Sequence, residues 1–308
     1  MTLQNRYSVV ALASAVLAAA AIVMTEVAMR FFAVSPLLTA LYSGVIGGLL
    51  LAAPLARSGI NFFRGWPRGD WIRFIVGSLL VFVVGMVLNF LAIDLIGSSK
   101  SAMISRLESL FVIALAVVIL GEEWTRRRWF ASAVTLVGTL IVNFDSETFE
   151  LSLGAGEWLN LVAALVFASG IIIIKPMLDR HDIPMLTGSA MLLGALVLTP
   201  ICTWLDSGLG SLGSNAQTHG PGWLPLALLI LMGLSRALSW WTYYSAMRHI
   251  GAARCSTFFL TSVVFIVVLQ LAVDTIAPGL GLQVPPNLLP VLAGGTLIVL
   301  GILMLQRS

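Results

Sequence analysis

Charge is scarce in this chain. Asp, Glu, Lys and Arg supply 10% of its 308 residues, where soluble domains carry about 25%, and that deficit excludes a soluble globule of this length. Strict polar alternation is missing as well. Apolar runs continue for about twenty residues, whereas barrel strands need alternation over about ten. Cysteine is confined to Cys202 and Cys255, both inside apolar runs, which excludes a disulfide framework and a thiolate metal site. The three histidines, His181, His219 and His249, fall in loops and do not cluster. No phosphate loop, paired metal-ligand motif or nucleophile elbow is present, so no enzyme activity, metal or cofactor is expected. The net charge of +3 is spread over short loops and forms no patch, which excludes a nucleic-acid partner.

What is there is hydrocarbon: 59% of the residues are hydrophobic and the mean hydropathy is +1.00. The bilayer is therefore the solvent, and helices must span it. Ten spans fit the apolar runs, at about 8–27, 36–54, 72–94, 101–120, 128–144, 156–175, 184–205, 223–247, 254–274 and 288–305. The first is read as a retained span and not a cleaved signal, given its apolar length. Lys and Arg orient the set. With a cytoplasmic N-terminus, Arg57, Arg64, Arg68, Arg73, Arg126, Arg127, Arg128, Lys175, Arg180, Arg248 and Arg254 all fall inside, and only Arg30 and Lys100 fall outside. This bias predicts that both termini are cytoplasmic.

The chain repeats itself. Ala92-Ile93-Asp94-Leu95-Ile96-Gly97 reads against Ala246-Met247-Arg248-His249-Ile250-Gly251, and Phe111 meets Phe265 at the same offset. Gly138-Thr139-Leu140-Ile141-Val142 recurs as Gly295-Thr296-Leu297-Ile298-Val299, displaced by three residues that the loop around Pro278 to Pro286 can absorb. Three matches in one order define a repeat. Five spans per half is an odd number, so the second copy enters the membrane inverted, as in many secondary transporters. The expected fold is an all-α integral membrane protein of ten transmembrane helices, arranged as two inverted five-helix repeats over 1–150 and 151–308. Gly47-Gly48 and Gly294-Gly295 lie inside spans, where small residues let helices pack closely.

Leu110 to Phe144, with Leu120-Gly121-Glu122 opening an inner loop, resembles the EamA-type half of the drug/metabolite transporter superfamily. Ala237 to Gln270, with the Ala246–Ala253 hairpin, resembles the matching part of the second half. The resemblance implies a ten-helix secondary carrier of amino acids, nucleotide sugars, metabolites or drugs, with export favoured. Two departures stand out. Ser109 and Val263 occupy positions where the family often has proline, and Leu-Gly-Glu has no clean counterpart in the second half, where only Asp274 is near.

Charges inside hydrocarbon are costly and mark candidate sites. Arg236 lies near the middle of the eighth span, with Ser239, Trp240, Tyr243 and Tyr244 following on its face. That face suits a small solute with an anionic group and a flat or apolar body. The alternatives are a structural pairing of Arg236 with an acid and an interfacial belt for the two tyrosines. In the third span the repeat sets Phe82, Gly85, Met86, Asn89 and Phe90 against that face, and Asn89 is a candidate hydrogen-bond donor. Glu108 shares a helical face with Ser101 and Ser105; it is either a proton carrier or the partner of Arg106 or Arg236. Arg106 and Glu108 are two apart, so they point about 200° apart on a helix and are not expected to face one site together. Glu26 pairs with Arg30 at i, i+4 or serves as a gate.

The function expected is transport of a small polar metabolite, amino acids leading, across the cell inner membrane. An intramembrane lipid enzyme and a non-transporting subunit are the rivals. The partners expected are the solute, the bilayer, and protons if Glu108 titrates, in a monomer or a homodimer. The charge bias yields a direct test: cysteines at positions 127 and 180 should react with impermeant reagent only from the cytoplasm, and one at 146 only from outside. Labelling of position 146 from the cytoplasm would overturn the inverted repeat.

Overall fold

A computed structural model describes residues 3–32, 34–56, 63–123, 125–142, 154–205, 223–277, 280, 282 and 288–306. Every regular element among them is helical. In chain order they are α1 (Leu3–Arg30), α2 (Pro36–Ala56), α3 (Arg68–Leu79), a π-helical turn (Leu80–Gly85) and α4 (Met86–Ser105). The next are α5 (Leu107–Leu120), α6 (Arg126–Val142), α7 (Ala155–Leu178) and α8 (Ile183–Leu205). The last four are α9 (Leu224–Ile250), α10 (Ala252–Phe259), α11 (Ser262–Ile276) and α12 (Leu288–Gln306). Seven helical runs are long and apolar enough to cross a membrane, and Leu107–Leu120 and Leu292–Met304 are shorter apolar helices. The Gly220-Pro221 turn and the Asp145–Glu150 loop lie outside the described residues.

Local chemistry sets the ends. Ser35 caps α2, its Oγ accepting from Leu38 N at 3.2 Å, with Pro36 pre-set for the first turn. Asp182 caps α8 through Met185 N at 3.1 Å. Gly121, at φ 67°, terminates α5 in the left-handed region that only glycine enters freely. One reversal is visible only through side chains. Asn89 and Ser105 both belong to α4, yet Asn89 Nδ2 donates to Ser105 Oγ at 3.1 Å. Sixteen residues of straight helix would separate them by about 24 Å. The axis therefore doubles back between them, in the segment that contains Gly97, the repeat mate of Gly251.

The two halves interleave. The most extensive contacts join α1 to α9, α6 to α12, α2 to α8 and α4 to α7, each pair taking one helix from either half. These pairings come as symmetry mates: α1–α9 mirrors α7–α4, and α1–α11 mirrors α7–α5. The self-paired interfaces rely on glycine. A Cβ on Gly188 would stand 3.0 Å from Gly48 O, and one on Gly48 equally close to Gly188 O. Outward faces are apolar, with Val118 80% exposed and Leu292 69% exposed, as lipid contact requires. Where α3 begins, Asp70 is 1% exposed and ties the halves together, 3.2 Å from Arg180 and 3.0 Å from His181 on the α7–α8 connection.

At the α6–α12 crossing a Cβ on Gly138 would stand 2.6 Å from Gly294 O and 2.9 Å from Ile298 N, both backbone atoms that cannot rotate away. Gly138→Leu should therefore destabilise the detergent-purified protein by about 1–3 kcal/mol through overpacking, read as a lower melting temperature. An unchanged melting temperature would show that α6 and α12 do not meet at this point.

Candidate functional site

Two transmembrane runs are interrupted at equivalent points. Helix α4 stops at Ser105 and α5 begins at Leu107, with Arg106 in the turn between; α10 stops at Phe259 and α11 begins at Ser262, with Leu260 and Thr261 in the turn. These positions are mates under the offset that relates Ala92 to Ala246. Each break is closed by a tighter i→i+3 bond, Ser109 N to Arg106 O at 3.1 Å and Val263 N to Leu260 O at 3.3 Å. No proline is needed. Hydroxyls take up the carbonyl acceptors instead: Thr261 Oγ1 donates to Phe258 O at 2.8 Å and Ser262 Oγ to Phe259 O at 2.7 Å. The two breaks touch, since Arg106 Nη1 donates to Ser262 Oγ at 2.7 Å and its Cζ lies 6.0 Å from the Phe259 ring centroid.

Beside the breaks lies a cavity of about 120 Å³, walled by α1, α4, α5, α7 and α9 together with Phe259. It holds Arg236, Arg106 and Glu108 as charged groups, Thr25, Asn89, Ser101, Ser105 and Ser239 as neutral polar groups, and Phe90, Phe167, Trp240 and Tyr243 as aromatic walls. The π-helical turn shifts the helical phase just before Met86, Asn89 and Phe90, all of which meet the site.

Arg236 is held only by neutral groups. Its Nη2 donates to Thr25 Oγ1 at 3.0 Å, its Nη1 lies 3.6 Å from Met86 Sδ, and its Cζ sits 5.2 Å from the Phe90 centroid. Its Nε is buried and has no partner among the described residues. Trp240 packs edge-on to Phe82 at 5.4 Å and stacks with Phe167 at 6.5 Å. Phe82–Trp240 is the repeat mate of Met86–Arg236, so the two helix faces set against each other by the repeat do meet, but one turn out of the position-for-position pairing of Phe82 with Arg236 and Met86 with Trp240. Glu108 also lines the cavity and forms no ion pair among the described residues.

Several expectations change. Arg106 and Glu108 both reach the cavity, although two residues on one helix would diverge, because the helix breaks between them. Tyr243 and Tyr244 are no interfacial belt: they are 3% and 1% exposed, and the Tyr243 hydroxyl bonds Ser256 Oγ at 2.7 Å. Tyr244 does not line the cavity; eight residues past Arg236 it is rotated by about 80°, whereas Tyr243 returns to within about 20°. Ser239 lines the wall but spends its hydroxyl on Ser14 O at 2.9 Å, which joins α9 to α1. The Asn89 amide nitrogen is engaged within the protein, donating to Ser105 Oγ at 3.1 Å and to Asn160 Oδ1 at 3.0 Å. Glu26 lies outside the lining and accepts from Gln270 Nε2 at 3.0 Å on α11; the Arg30 side chain is outside the described residues. Thr25, Phe167, Asn160 and Gln270 were missed. Only Asn160 and Gln270 carried a signal, each being an amide inside an apolar run.

Helices of this length and apolarity make the chain a multi-pass membrane protein, and the paired breaks around a polar cavity are the geometry of transporters built from repeats. The profile of the EamA-like transporter family matches residues 5–144 and 154–306, and the chain belongs to that family, one of transporters and not of enzymes. An uncharacterized transporter of Archaeoglobus fulgidus is 24% identical over 214 residues, 69% of each chain. A probable terminal-alkyne amino-acid exporter of Streptantibioticus cattleyicolor is 25% identical over 224 residues, 72% of this chain and 68% of that one. A crystal structure 16% identical to this chain superposes with a TM-score of 0.68 over 96% of both chains, which shows a shared fold.

The Leu120-Gly121-Glu122 motif acquires a physical role. The Glu122 carboxylate crosses to the second half and accepts from Ala252 N at 2.7 Å and Ala253 N at 3.2 Å. It thereby caps α10 immediately after Gly251, whose φ is 84°. A Cβ at Gly251 would stand 3.0 Å from a Glu122 carboxylate oxygen. Glu122→Ala strands both N–H groups and should cost about 1–2 kcal/mol of stability, with Glu122→Gln recovering part of it through its single carbonyl. Equal melting temperatures for parent and Glu122→Ala would remove the cap from the structure's supports.

Proposed function

We propose that this protein exports small zwitterionic solutes, amino acids foremost, across the cell inner membrane by alternating access. In this reading ten spans form two inverted five-helix repeats, 1–150 and 151–308, with both termini cytoplasmic, and the halves rock about the cavity. One observation carries the substrate class: Arg236 and Glu108 face one cavity with opposite charges, and neither forms an ion pair among the described residues. A buried charge is expensive unless compensated; Arg106 shares the cavity with Glu108, and a zwitterion would compensate Arg236 while bringing a closer cation to Glu108. Its carboxylate would take the two-pronged Arg236 guanidinium, its ammonium would sit at Glu108, and its side chain would lie on Trp240, Phe90 and Phe167. The name given to the S. cattleyicolor relative supports the amino-acid class and the outward direction.

Glu108 equally suits a proton, released and rebound as the cavity changes sides. Binding of leucine or phenylalanine to purified protein tests the substrate reading. Arg236→Lys keeps the charge but loses the fork geometry, and affinity should fall roughly 30- to 150-fold, the equivalent of about 2–3 kcal/mol for a charge-assisted contact. If the folded variant binds as the parent does, Arg236 leaves the site. Glu108→Gln should lower affinity for amino acids as well. If it abolishes only the pH-gradient dependence of transport, with affinity intact, Glu108 is the proton carrier and not the ammonium receptor.

A further inference from the structure

One polar group of the cavity wall has its orientation set from outside the cavity. Asn160, on α7, is fully buried, at 0% exposed, and is not among the residues that line the site. Its amide nitrogen donates to Ser101 O at 2.6 Å and to Ser101 Oγ at 3.0 Å. A backbone carbonyl only accepts, so this contact determines which end of the Asn160 amide is nitrogen. The oxygen is thereby turned towards α4, where it accepts from Asn89 Nδ2 at 3.0 Å; Ser105 Oγ lies 3.1 Å away, its one hydrogen shared between this oxygen and Ser101 O at 2.8 Å. Asn89 Nδ2 also donates to Ser105 Oγ at 3.1 Å. The nitrogen end of the Asn89 amide is thus turned towards α7 and its own hairpin. What Asn89, a lining residue, offers a solute is its carbonyl oxygen.

We infer that Asn160 is a positioning residue: it holds Asn89 with the acceptor oxygen towards the cavity, so that Asn89 joins Glu108 in receiving the ammonium end of a zwitterion. The inference rests on the zwitterion reading above and sharpens it. The chain of constraint starts at a backbone atom and passes through two amides, each with one permitted orientation. Without Asn160 the Asn89 amide is free to turn over, and its NH₂ would then meet the ammonium hydrogens donor to donor. The site would lose its preference for an amine over a hydroxyl while keeping Arg236 for the carboxylate. Ser101 and Ser105 cannot substitute, because a hydroxyl both donates and accepts and so fixes neither orientation.

The test compares leucine with 2-hydroxyisocaproate, and phenylalanine with phenyllactate, in binding titrations on full-length protein in detergent. The parent should prefer each amino acid over its hydroxy acid by roughly tenfold or more, the scale of one hydrogen bond to a charged group. In Asn160→Leu that ratio should fall towards one, mainly through weaker amino-acid binding. Adding Asn89→Asp to this background should restore the preference, since a carboxylate presents oxygen in either orientation; a purely structural role for Asn160 would show no such rescue. If Asn160→Leu does not fold, Asn160→Gln, which keeps polarity but displaces the amide, carries the same expectation. A folded Asn160 variant with the parent's ratio, or a double variant without rescue, overturns the inference alone. So does a parent that binds both members of a pair equally. A parent that binds neither overturns the zwitterion reading, and this inference falls with it.

Discussion

Hydrocarbon has no partner for a hydrogen bond that a broken helix leaves open. The interruptions at Arg106 and at Leu260–Thr261 can therefore exist only where protein surrounds them, and the interleaving of the halves supplies that surrounding. Because α1 packs on α9 and α4 on α7, both breaks fall between helices of opposite halves and away from lipid. Arg106 then uses the proximity, reaching Ser262 at the other break. The same constraint explains the hydroxyls. Thr261, Ser262 and Ser105 each return a hydrogen bond to a nearby carbonyl, so an irregular backbone is satisfied without water.

The helices were legible because a bilayer forces long apolar runs, and the repeat was legible because identities recur in one order. That the Phe82–Phe90 stretch faces the Arg236–Tyr244 stretch followed from the repeat, but the actual partners, Phe82 with Trp240 and Met86 with Arg236, are offset by one turn from the equivalent positions. Helix geometry misled at Arg106 and Glu108: the 100° step holds only while the helix continues, and nothing as plain as a proline marks the break. The π-helical turn at Leu80–Gly85 left no mark for the same reason. Tyr244 was placed on the cavity face by extending an i+8 tolerance too far, and the engagement of the Asn89 nitrogen within the protein was not foreseen. A hydrogen-bond role depends on who else claims the donors, and Asn160, 71 residues away in sequence, could not be assigned to it from spacing.

Glu122 shows how one half disciplines the other. A helix N-terminus exposes N–H groups that must be met, and α10 begins directly after the tight turn at Gly251. Capping by a side chain of its own half would leave the hairpin free to shift relative to α5. Capping by Glu122 from the first half couples the position of α10 to the end of α5, and α10 leads straight into the second break. The motif therefore lies remote from the cavity yet fixes one of the elements that frame it.

The frame is symmetric and the chemistry is not. Arg236 comes from the second half, and its repeat mate is Phe82; Glu108 comes from the first, and its mate is Ser262. Had both mates been charged, three guanidiniums, Arg106 among them, and two carboxylates would crowd one small cavity. They would pair with one another, and the pairs would be as costly to open as any buried ion pair. Arg236 and Glu108 instead come from different halves and form no ion pair with each other among the described residues, with Arg106 as a second cation of the cavity. In the proposed reading each half would hold one end of a solute. Any motion of one half against the other changes the distance between Arg236 and Glu108, and with it the fit of a zwitterion of fixed length. Under the proposed alternating access, a solute that spans the two would be bound most tightly in the arrangement that matches its length, which would give the rocking of the halves a direct energetic link to occupancy.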